Sequence, residues 1–78
     1  MIPLRNLVPG DEVEAFGVTS VFIGIITLHP IWPSLSLVVW RMGDGSYSLD
    51  ALYIGTELPG TVDTTNRLAN LRRALLTQ

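Results

Sequence analysis

The chain reads as a mainly β protein that ends in a single α-helix, and three observations carry this expectation. Asp44-Gly45 lies between the alternating stretches 38–42 and 46–49, and Asp-Gly in that setting is the strongest short-range hairpin signal. Two longer runs, 21–28 and 35–42, are rich in Val, Ile and Leu and are apolar on both faces. Helical spacing of apolar residues is clear in one place, where Leu68, Leu71 and Leu75 recur with Ala74 beside them.

The elements follow in order. Residues 1–7 form a short lead-in containing Pro3. Val8-Pro9-Gly10-Asp11 is a turn, because Pro pre-sets φ at one central position and Gly takes the unusual φ at the next. Residues 12–16 alternate, with Val13 and Ala15 on one face and Glu12 and Glu14 on the other, as in a half-exposed strand. Residues 17–20 turn the chain into a second strand, 21–28, where Gly24 marks a bend or bulge. A Pro-bracketed loop, 29–34, leads to a third strand, 35–42, which places Trp40 in the core. After the Asp44-Gly45 turn comes a fourth strand, 46–49, then a single helical turn at Asp50-Ala51-Leu52, since Asp caps orphan amides readily. Residues 53–56 make a short fifth strand, and Leu58-Pro59-Gly60 turns again. Asp63 or Thr64 caps a helix over 63–78, whose leucine stripe docks on the body or on another copy. Two units are thus expected: a β body over 1–62 and a helix over 63–78.

Seventy-eight residues make one small core, a size at which disulfides, metals or oligomerisation commonly add stability. There is no Cys and one His, so a disulfide, a thiolate zinc site and a multi-histidine site within one chain are excluded. Self-association remains, and a composition 47% hydrophobic but 15% charged favours an apolar patch covered by a partner. From Ala15 to Trp40 no side chain is acidic or basic save His29, yet Pro30, Pro33 and the β-branched content oppose a membrane-spanning helix. No secretory layout opens the sequence, and a cytoplasmic location is expected. All five basic residues are Arg, a bias that resembles small proteins of high-GC bacteria and their phages.

The order of turn, strand, two long apolar strands, Asp-Gly hairpin, short strand, helical turn and final strand resembles the SH3-like small β-barrels, which include Tudor and KOW modules. The residues that carry the resemblance are Pro9-Gly10-Asp11-Glu12-Val13, Val38-Val39-Trp40 with Asp44-Gly45, and Ser48-Leu49-Asp50-Ala51-Leu52. They span about residues 7–56. The resemblance implies a five-stranded antiparallel barrel with the C-terminal helix packed on it. It leaves the ligand open, because fold does not imply function.

No residue set points to catalysis. His29 has no nucleophile or orienting carboxylate near it in sequence. Asp11, Asp44 and Asp50 are explained as turn or cap residues, and no acidic loop has calcium-ligand spacing. Neither a nucleophile elbow nor a phosphate-cradling glycine loop is present. No enzyme activity, cofactor or metal is therefore expected. The expected function is protein binding, with contacts from Ile31 and Trp32 in the Pro-bracketed loop and from Arg67, Arg72 and Arg73 on the helix. A phage or bacterial accessory protein, able to form homo-oligomers, fits that reading. The alternative is nucleic-acid binding through the same arginines. Net charge is −4 over residues 1–62 and +2 over 63–78, so the basic footprint is confined to the helix.

Overall fold

A computed structural model describes residues 1–26, 31–32, 34–53 and 55–76. The mainly β expectation holds. In chain order the elements are β1 (Ile2–Pro3), a 3-10 turn (Leu4–Asn6), β2 (Glu12–Ala15), β3 (Val18–Ile26), β4 (Leu35–Met42), β5 (Tyr47–Tyr53), β6 (Glu57–Leu58), β7 (Gly60–Asp63) and α1 (Arg67–Leu76). An antiparallel sheet runs β5-β4-β3-β2-β7, and β1 pairs with β6 in a separate two-stranded ladder. Among the described residues no ladder joins β5 to β7, so the large sheet has two edges and a closed barrel is not formed.

Several local expectations give way to pairing. The helical turn at Asp50–Leu52 is replaced by strand, because β4 is long enough to pair Val38 with Asp50, Leu37 with Ala51 and Ser36 with Leu52. The fifth strand at 53–56 is displaced onward. Glu57 and Leu58 pair with the lead-in, and residues 60–63 pair with β2 from Glu12↔Asp63 to Ala15↔Gly60. Asp63 therefore ends a strand, and its carboxylate accepts the Thr65 N–H at 2.8 Å ahead of a helix that starts at Arg67. The turn after β2 is two residues long, with Ala15 opposite Val18. Phe16 (φ 55°) and Gly17 (φ 74°) both take the left-handed conformation that such a tight hairpin demands.

The bulge expected at Gly24 is present: the β3–β4 register shifts between Phe22 and Gly24. Phe22 opposes Trp40 and Ile25 opposes Val38, so Ile23 is the extra residue. Parity is thereby reset, and Phe22 and Ile25 join the same core. That core lies on one sheet face. Val13, Phe22, Val38 and Trp40 pack there against Ile2, Leu4, Leu7 and Leu58, which cover the face from the lead-in and β6. Phe22 and Trp40 meet edge to face at 5.6 Å between centroids.

Helix α1 covers part of the opposite face, and polar groups anchor it. At its start, the Arg67 guanidinium donates to the carboxylate of Asp11, which is buried. One turn on, the Asn70 side-chain amide donates to the Gly10 carbonyl at 3.0 Å. Near its end, the Ala74 carbonyl accepts from Tyr47 Oη and from Arg41 Nη1, satisfying a carbonyl that the helix itself leaves unpaired. Gly10 makes the docking possible. Its φ is +97°, and a Cβ there would stand 2.2 Å from the Arg67 carbonyl oxygen. Asp11 also accepts the Val8 N–H at 2.8 Å, so the Pro-Gly-Asp turn is at once a strand start and a helix dock.

Candidate interaction surface

The registers place the helix across the strands. Glu12 opposes Val21, Val21 opposes Arg41, and Arg41 opposes Tyr47. Anchors at Asp11 and at Arg41 and Tyr47 lay α1 along this row, from β2 to β5. At about 100° per residue, Arg67, Asn70 and Ala74 share the docking side. Arg73 borders a cleft beside Thr19, Gly43 and Gly45 on one flank. Leu68, Leu71 and Leu75 therefore occupy the other flank of the helix.

The leucine stripe docks only in part, through the half-buried Leu71. Leu68 is 69% exposed and Leu75 55%, while Asn70 and Ala74 are buried. Beyond the helix, the same sheet face continues with Val39 and Leu49, Leu37 and Ala51, and Leu35 and Tyr53 as cross-strand pairs. Ile26 sits beside Leu37. Leu49 is 63% exposed and Tyr53 61%. Exposed apolar side chains thus stand both on the helix and on the sheet face beyond it.

The residues singled out from sequence divide. Ile31 and Trp32 are exposed in the loop between β3 and β4, at the sheet end that carries Leu35 and Tyr53. The Leu35 N–H donates to the Trp32 carbonyl at 2.9 Å. Arg67 is held by Asp11 within the fold. Arg72 and Arg73 are exposed on the helix. His29 lies outside the described residues. The sheet's contribution went unread in the sequence, although Leu49, Ala51 and Tyr53 alternate. Their face could be assigned only once β5 was known to run through Asp50.

A second feature lies on the core face. A cleft of about 370 Å³ is lined by Val18, Trp40, Met42, Leu52 and Leu58, with Phe16 at the hairpin tip. Its polar lining is Ser20, Ser48 and Asp50. Trp40 is 5% exposed, and its buried indole N–H has no acceptor among the described residues.

The perturbed carboxylates are local. The Ser46 hydroxyl and N–H hold the Asp44 carboxyl below its ordinary value, with contacts of 2.6 and 2.9 Å. Thr65 does the same to Asp63 through its hydroxyl and N–H. Both are turn contacts at exposed positions, and neither forms part of a reactive cluster. Among the described residues no group of His, Asp and Glu is arranged to hold a metal, and no helix is long and apolar enough to cross a membrane. The chain matches no family model, no curated protein and no solved structure.

Proposed function

We propose that the protein is a small non-enzymatic binding module that acts by protein–protein contact, beginning with a second copy of itself. One observation carries this reading: Leu49 and Tyr53, opposite Val39 and Leu35, are more than half exposed on the sheet face that continues beyond the helix, and Leu68 and Leu75 on the helix are more than half exposed as well. Contiguous apolar surface of this kind marks an interaction site, whereas scattered exposed leucines do not. Ile31 and Trp32 extend the surface at the sheet end, and Arg72 supplies a polar rim. The SH3-like likeness supports a binding role by analogy of element order alone. Nucleic-acid binding through the helix is the alternative; Arg67 is engaged by Asp11, which leaves it the exposed Arg72 and Arg73.

Light scattering across concentration tests the proposal. A dimer is expected at ~0.1 mM, which populates any complex of micromolar Kd. Leu49→Asp and Leu68→Asp should each return a monomer of unchanged melting temperature. A wild-type chain that stays monomeric at that concentration overturns the reading.

A further inference from the structure

The free edge of β5 and the cleft beside it belong to one device. β5 ends the sheet order, and among the described residues no strand lies beyond it. It is seven residues long, Tyr47–Tyr53, without the Pro or Lys that commonly blunts an edge. The Met42 N–H donates to the Ser46 carbonyl at 2.8 Å, so the alternation of the antiparallel ladder turns the backbone groups of Ser48, Asp50 and Leu52 toward β4. Those of Leu49 and Ala51 are directed outward. Ser48, Asp50 and Leu52 place their side chains along the cleft. Asp50 is the one charged residue among the described lining, and the buried Trp40 indole N–H still lacks an acceptor.

We propose that β5 takes up an extended peptide segment of a partner protein as an added strand. The segment's alternate side chains enter the cleft: a basic residue opposite Asp50, flanked by apolar residues opposite Ser48 and Leu52. Main-chain hydrogen bonds to Leu49 and Ala51 supply affinity, and the cleft supplies selectivity. Charge also disfavours a second copy here. In the antiparallel register that pairs all seven residues, Asp50 of one chain stands opposite Asp50 of the other, and like charges directly opposed are destabilising. This site is independent of the helix-flank surface, and the Leu68→Asp chain should retain it.

The test is a titration of the isotope-labelled Leu68→Asp chain with a synthetic heptapeptide that alternates threonine with valine, lysine and valine. The lysine peptide should shift the Trp40 indole N–H resonance and slow amide exchange at Leu49 and Ala51. Replacing its lysine by glutamate should weaken binding at least ~10-fold, the factor that 1.4 kcal/mol represents. Asp50→Lys, at an exposed position, should invert that preference. Unchanged signals from Trp40 and β5 at millimolar peptide would overturn the proposal, as would binding indifferent to Asp50→Lys.

Discussion

Both faces of the large sheet carry apolar side chains, yet they are covered by different physics. On the core face, Phe22, Val38 and Trp40 are sealed by Ile2, Leu4, Leu7 and Leu58, a contact made of hydrocarbon. On the other face, α1 is held by polar anchors that join Arg67 to Asp11, Asn70 to Gly10 and Tyr47 to Ala74, while Leu68 and Leu75 stay outside. Apolar burial is non-directional and favours covering as much surface as the chain allows. Hydrogen bonds are directional and position a helix without covering everything around it. The first face therefore serves stability. The second leaves Leu49 and Tyr53 of the sheet and Leu68 and Leu75 of the helix more than half exposed.

The contrast can be broken from either side. The largest effect is expected at the core face, where Phe22→Ala should cost about 4 kcal/mol by leaving a cavity beside Trp40. For a domain this small that is most of the folding free energy, and urea denaturation would show it as loss of a native baseline. Next comes the helix dock. Gly10→Ala forces a side chain onto a φ of +97° and into the Arg67 carbonyl, a cost of about 3 kcal/mol. Hydrogen exchange should locate that loss first in α1, with β3 and β4 still protected; equal loss throughout would show that the faces are not separable. Arg67→Ala should cost about 2 kcal/mol, since it leaves the buried Asp11 carboxylate without its cation while the Val8 N–H remains.

Smaller effects sharpen the other half. Leu68→Gln should change stability by less than about 0.5 kcal/mol, because a surface side chain that packs on nothing within the fold contributes little to it. Any larger loss in a monomeric sample would assign the leucine flank to the fold instead of a partner. The weakest effect is acidic. Asp44 and Asp63 titrate below 3.8 when folded, so their contribution is complete above that value and is lost as pH falls through their depressed folded-state values. Carboxyl chemical shifts followed through that range should show both midpoints below 3.8, with little change in the core signals.

Much of the β layout was legible because it rests on local chemistry. The Asp44-Gly45 hairpin and the Pro9-Gly10-Asp11 turn rest on the positive φ of Gly45 (93°) and Gly10 (97°), which few other residues adopt. Where the local signal misled, a long-range partner outweighed it. Asp50-Ala51-Leu52 reads as a capped turn until β4 offers three more ladder positions. The leucine stripe of 63–78 reads as a docking face until Gly10 and Asp11 offer Asn70 and Arg67 better-placed acceptors.

The sequence by itself determined the mainly β character with one C-terminal helix, the central hairpin, the inward Trp40 and the absence of any thiolate or multi-histidine site, because each follows from residue chemistry at short range. Tertiary structure decided which face of each element is buried. Burial depends on what stands opposite, and here Asp11, Tyr47 and the lead-in stand opposite residues far away in the chain. The exposed leucines of α1 and the open edge of β5 are consequences of those distant pairings.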